Sequence, residues 1–297
     1  MKGSEKLREK LPDYQGKKII ILIILVPITV LGSLIFQLTW DSIARLLVDI
    51  TFFQILAPFT PLIGSLIIVI IGFMIVYSFW RNKDKYLKRY GELSYQKAFK
   101  LVVTGVPLVI SVVVHSFFPT DFIIPYYNNQ NLSWYLGTPI FDIFFGFSII
   151  FFYIRLVLGI IFVGLGLIVV SKALKIFGID YMGLVYVYYP NQSSLQNHEI
   201  YSVLRHPTYH AVMLFSIGSI FFRFSIYSIF YFLIFMIGIN VHLRFVEERE
   251  LIQRFGEQYR KYKKNVPALF VRIRDLRKYF SIIFQNVELK DKNKKEE

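Results

Sequence analysis

The chain has no cysteine, which excludes disulfide bridges, thiolate catalysis and cysteine-ligated metals together. No metal site is expected. Charge is also scarce. Only 18% of the 297 residues are Asp, Glu, Lys or Arg, whereas 55% are hydrophobic; a soluble domain carries roughly 25% charged residues to cover its core. Polar surface is therefore too small for a soluble globule. No strand–glycine-rich-loop–helix unit occurs, so a Rossmann-type nucleotide site is not expected. No internal repeat is visible.

What is present is long apolar runs. About 20 apolar residues cross a bilayer at 1.5 Å per residue. Ile19 to Leu38 is too long for a signal-peptide core and lacks a small-residue cleavage site, so it reads as a first span. Further spans are expected at about 56–80 and 101–118. The apolar run 138–171 is expected to cross once, as one long bent helix, and a helical hairpin follows at about 207–242. The fold class expected is an all-α polytopic membrane protein with about six crossing segments and a cytoplasmic pocket.

The net charge of +14 flanks these spans. Membrane lipids are therefore the expected partners, and nucleic acid is not. Basic residues Arg81, Lys83, Lys85, Lys88, Arg89, Lys97 and Lys100 fill one loop, while residues 119–137 hold no Lys or Arg but contain Tyr126, Tyr127, Trp134 and Tyr135. Basic loops stay inside, which puts both termini in the cytoplasm. Asp142 and Arg155 are costly facing lipid, and a polar crevice or an interface is expected around them.

Two polar clusters bracket the hairpin. The first is Tyr201-Ser202-Val203-Leu204-Arg205-His206-Pro207-Thr208-Tyr209; the second is Glu247-Glu248-Arg249-Glu250, running into Phe255-Gly256-Glu257-Gln258-Tyr259 and Tyr262-Lys263-Lys264. Pro207 suits the first turn of a helix, whose free N–H groups beside Arg205 and His206 favour an anion. Antiparallel hairpin arms return Glu247 to the same depth. Cations and carboxylates a few ångströms apart suit a zwitterion, and Tyr201 and Tyr209 offer aromatic faces to a sulfonium. Taken alone, Arg205 and His206 also fit snorkelling groups at a span's end, and the Tyr-Lys run fits an amphipathic surface helix.

Together, Tyr-x-x-x-Arg-His-Pro-x-Tyr, the hairpin, Glu-Glu and Phe-Gly-x-x-Tyr-x-x-Tyr-Lys-Lys resemble the isoprenylcysteine carboxyl methyltransferase family, a pattern shared with phospholipid methyltransferases. The likeness covers about 157–270 and includes Gly159, Gly164 and Gly166. It implies an integral membrane enzyme using S-adenosyl-L-methionine. By matching position it implies that Tyr201, His206, Pro207, Thr208, Tyr209, Glu247, Glu248, Ser193, Leu195 and Gln196 hold the cofactor, with Glu247 across from the tyrosines and Glu248, like Arg205, as a support. Arg205, His206 and Glu247 are the catalytic candidates, and no general base is assigned. Glu199 stands where the family usually has glycine, Ser193 where it often has histidine, and Arg244 one position from the family's arginine before the Glu pair.

The domain division expected is an N-terminal transmembrane region at 1–140 with no recognised motif, a methyltransferase core at 141–270, and a basic, partly disordered tail at 271–297. The activity expected is methyl transfer to a lipidic or prenylated acceptor, foremost a prenylcysteine-type carboxylate. The alternatives are a phospholipid headgroup amine, an NADPH-dependent membrane reductase, and a non-enzymatic transporter or channel.

Overall fold

A computed structural model describes residues 2–47, 50–118 and 132–285; Tyr126, Tyr127 and residues 286–297 of the expected tail at 271–297 lie outside them. Every regular element among the described residues is helical. The helices that build the bundle and its site are α1 (Ile19–Leu46), α2 (Thr60–Arg81), α3 (Ser94–His115), α4 (Ile149–Phe177), α5 (Pro207–Arg223), α6 (Ile226–His242), α7 (Glu248–Asn265) and α8 (Leu276–Phe284). Five helices among the described residues are long and apolar enough to cross a membrane, and they contain α1, α2, α3, α4 and α6. The remaining hairpin arm, α5, has 17 residues, about 26 Å at 1.5 Å per residue, just short of a hydrocarbon core of about 30 Å. The chain is an integral membrane protein.

Two boundaries differ from expectation. Helix α1 continues eight residues past Leu38 to Leu46, because Gln37, Asp41 and Ser42 turn inward and are buried. The run 138–171 is not one bent helix. A short helix, Ile140–Phe145, ends at Gly146 with φ 73°, a left-handed conformation that glycine adopts freely. Ser148 then caps α4 by accepting from the Phe151 N–H. The excess length is taken up by a break, and only α4 is long enough to cross.

Without water in the hydrocarbon, helices associate through close backbone approach and internal polar pairing. A Cβ added at Gly72 on α2 would lie 3.1 Å from the Gly105 carbonyl oxygen on α3, and one at Gly105 would lie 2.9 Å from that of Gly72. On α4, a Cβ at Gly166 would come within 2.6 Å of the Phe215 ring of α5, whereas Gly164 has open space beside it. The polar pairing joins α1, α2 and α3. His115 Nε2 lies 2.7 Å from Asp41 Oδ2, Ser65 Oγ lies 3.4 Å from His115 Nδ1, and Ser33 meets Ser111 at 2.7 Å. Arg155 is buried on α4 and donates to the Arg223 carbonyl at 3.2 Å, with Asp142 nearby. It faces protein rather than lipid.

At one end of the bundle the chain folds back on itself. The segment Ser4–Glu9 packs on Ile179–Met182, Leu11 enters a core with Phe79, Tyr95 and Tyr188, and α8 buries Tyr279 and Ile283 beside Tyr201 and Leu204. These contacts hold the segment 178–206 against the ends of α2, α3, α5 and α6.

Candidate functional site

Arg205 and His206 form the floor. Their backbone N–H groups donate to the carbonyls of Pro267 (2.9 Å) and Ala268 (3.1 Å), tying the start of α5 to the strand-like run after α7. The Arg205 guanidinium is fully engaged: Nε and Nη2 donate to Glu248 Oε1 at 3.0 and 2.5 Å, and Nη1 donates to the carbonyls of Lys263 and Val266. Lys263 Nζ reaches the other oxygen of Glu248 at 2.6 Å. This is a strap that closes α7 onto α5. Burial raises the Glu248 carboxyl, but hydrogen bonds from His206 and Lys263 and the charge of Arg205 outweigh it and hold it well below the usual range.

Both ring nitrogens of His206 face carboxylates, Nδ1 at 3.2 Å from Glu247 and Nε2 at 3.4 Å from Glu248. Only the imidazolium can donate to both. Burial lowers its pKa, but the Glu247 charge and hydrogen bonds to both carboxylates outweigh burial and raise it. With a carboxylate facing each ring nitrogen, His206 has no nitrogen free to act as a base. The other oxygen of Glu247 accepts from the Tyr209 hydroxyl at 2.7 Å. Glu247 closes a π-helical turn, Leu243–Glu247, between α6 and α7. Such a bulge adds about one residue per turn, which places Glu247 over the first turn of α5.

These groups bound a cavity of about 260 Å³. Of the residues expected to hold a cofactor, Tyr201, His206, Pro207, Thr208, Tyr209, Glu247, Leu195 and Gln196 line it, with Arg205. Two do not. Glu248 is buried behind His206 as part of the strap, and Ser193 lines an adjoining outer groove, its hydroxyl donating to the Pro190 carbonyl at 2.6 Å. Arg244 is exposed, against the Phe245 ring. Thus Arg205 and Glu248 belong together as supports, while Glu247 is the carboxylate that meets the cavity.

Sequence reasoning missed part of the wall. Phe177 stacks on Tyr201 with ring centroids 4.5 Å apart and planes at 13°, and Tyr181 fixes the segment at 194 through its hydroxyl, which accepts from the Ser194 N–H at 3.0 Å. Glu250 and Arg254 line the cavity as a pair at 2.6 Å, a helical i,i+4 spacing that the sequence does display. Trp80, Val102 and Val106 come from α2 and α3, which no local motif connects to the site.

Glu199, at the family's usual glycine position, has φ 49°. The fold keeps the left-handed turn there without the residue that takes it at no cost.

Residues 154–258, about a third of the chain, match the model of the phospholipid methyltransferase family. No curated protein and no solved structure matches the chain. The matched stretch contains most of α4, the hairpin, Arg205 to Tyr209 and the Glu pair, and so includes much of the cavity wall. Over that stretch the chain is similar to the phospholipid methyltransferases, a family of integral membrane methyltransferases.

Proposed function

We propose that the cavity binds S-adenosyl-L-methionine and that the enzyme transfers its methyl group to the amine of a membrane lipid headgroup. The observation carrying this reading is the charge arrangement of the wall. Every cation on the wall is already committed, Arg205 to Glu248, His206 to Glu247 and Glu248, and Arg254 to Glu250. No cation is left over for an acceptor carboxylate. Glu247 and Glu250 are paired with those same cations, but their carboxylate oxygens keep further lone pairs to accept with, so with the rings of Tyr201 and Tyr209 they suit a cationic group. This inverts the order of acceptors favoured by the motif resemblance alone.

The fit to the donor rests on the residues present. The first turn of α5 presents backbone N–H groups of Thr208 and Tyr209 where an amino-acid carboxylate is stabilised. Glu247 suits the ammonium or ribose hydroxyls of the same molecule. The cofactor supplies an electrophilic methyl on sulfur with a good leaving group, so the protein's task is alignment and exclusion of water. The stacked Phe177–Tyr201 pair and the strap keep that wall rigid. Basic residues on the loop after α2 favour the site end as cytoplasmic. The division into a motif-free region at 1–140 and a core at 141–270 is part of this proposal, and the cavity draws on residues of both.

Calorimetric titration of the purified protein with S-adenosylmethionine, S-adenosylhomocysteine and NADPH tests the reading. Both adenosyl compounds bind, NADPH does not, and Glu247→Ala weakens binding at least tenfold. Failure of both adenosyl compounds to bind would sink it, and NADPH binding in their place would favour a reductase.

A further inference from the structure

The family match stops at residue 154 on its N-terminal side, yet the cavity does not. Trp80 on α2 and Val102 and Val106 on α3 complete its wall. Val106 is 36% exposed, and it sits 12 residues into α3, roughly 18 Å along the helix.

Trp80 carries the second observation. Its indole lines the cavity, and its Nε1–H is buried with no hydrogen-bond partner. Such a donor costs about 1–3 kcal/mol when left unpaired, and buried polar groups are otherwise almost always satisfied. The indole is held in place. The His242 ring packs against it at 5.2 Å and 71°, and His242 in turn stacks on Phe73 at 5.5 Å. His242 Nε2 is likewise buried without a partner. The next ring along is Tyr209, 6.5 Å from His242, whose hydroxyl is bonded to Glu247. A continuous line of rings thus runs from Trp80 through His242 to Tyr209 at the proposed methyl-donor site.

We infer that Trp80 reads the methyl acceptor, donating its indole N–H to an anionic oxygen of the lipid headgroup while the lipid's chain leaves the cavity past Val106. Resting on the methyltransferase reading above, this assigns acceptor specificity to helices outside the matched stretch. Residues 154–258 supply the donor half of the site, and α2 and α3 supply the acceptor half. His242 acts through Trp80 as a positioning residue.

The test is steady-state transfer from labelled S-adenosylmethionine to two probes in mixed micelles, phosphatidylethanolamine and N-acetyl-S-farnesylcysteine, with donor affinity measured separately. Trp80→Phe keeps a ring and removes the N–H. It raises the acceptor KM about tenfold or more, leaving kcat within about twofold and donor Kd unchanged. Val106→Trp, on an exposed position, raises the acceptor KM in the same way without touching donor Kd, and it keeps the inference testable if Trp80→Phe does not fold. A KM unchanged in either folded variant overturns the inference, as does a rise in donor Kd alone. A KM effect seen only with the farnesylcysteine probe upholds Trp80 and overturns the amine acceptor. Transfer to neither probe overturns the acceptor class, and a wild type that binds no donor overturns both readings together.

Discussion

The Tyr209 hydroxyl donates to Glu247 Oε2 over 2.7 Å, joining the first turn of one hairpin arm to the residue just beyond the other. Glu247's second oxygen faces His206 at 3.2 Å, so both oxygens are oriented before any ligand arrives. Tyr209→Phe removes the neutral donor and leaves the ion pair. It is expected to weaken S-adenosylmethionine binding by about three- to tenfold, corresponding to about 0.5–1.5 kcal/mol for one such bond. Isothermal titration reads it directly, and an unchanged Kd would show that Tyr209 plays no part in holding Glu247.

The Arg205–Glu248–Lys263 strap predicts an acid limb of stability. The native Glu248 carboxyl lies below its ordinary range, because His206, Lys263 and Arg205 outweigh the cost of burying it. A depressed native pKa contributes stability that is present above the unfolded value of about 4.3 and is lost as pH falls through the native one. Thermal unfolding in detergent should therefore fall steeply below pH of about 4.3. Glu248→Gln should lower Tm at neutral pH, with a cost on the order of 3–5 kcal/mol for breaking a buried pair, and should flatten that acid limb. A mutant with the wild-type pH profile would contradict the strap.

Glu199 offers a gain. At φ 49° a non-glycine residue carries about 1–2 kcal/mol of strain, part of which glycine returns through its own flexibility when unfolded. Glu199→Gly is expected to stabilise the protein by about 0.5–1 kcal/mol, seen as a higher Tm, with donor affinity unchanged. A lower Tm would mean that the Glu199 side chain holds the turn in some other way.

Much of this was legible in the sequence, for identifiable reasons. The hairpin was readable because Pro207, Arg223–Ser225 and His242 punctuate two apolar runs, and the site because His206 and Glu247 lie at its two open ends. The split of the Glu pair, Glu247 across from the motif tyrosines and Glu248 with Arg205 as a support, was implied by the resemblance. Its physical cause, the π-helical turn at Leu243–Glu247, was not legible, because a one-residue bulge leaves no compositional mark. Trp80 lies outside both motifs, and nothing local ties α2 to residues more than a hundred positions away. The break at Gly146 was hidden inside a continuous apolar run.

The buried pair His115–Asp41, at 2.7 Å and almost fully enclosed, sits among α1, α2 and α3 away from the cavity. His115→Ala leaves the buried Asp41 carboxyl without its partner. The expected cost is on the order of 3–5 kcal/mol, appearing as a lower Tm with donor Kd preserved in the protein that remains folded. A large loss of donor affinity at unchanged Tm would instead tie this pair to the chemistry.

The central claim is transfer of a methyl group from S-adenosylmethionine to a lipid amine through the Glu247 site. The most direct measurement is mass spectrometry of phosphatidylethanolamine after incubation with deuterated-methyl S-adenosylmethionine and purified enzyme. The account predicts N-methylated headgroups carrying the label with wild type and at least tenfold less with Glu247→Ala. Label absent from the amine, or found there equally with the variant, would contradict it.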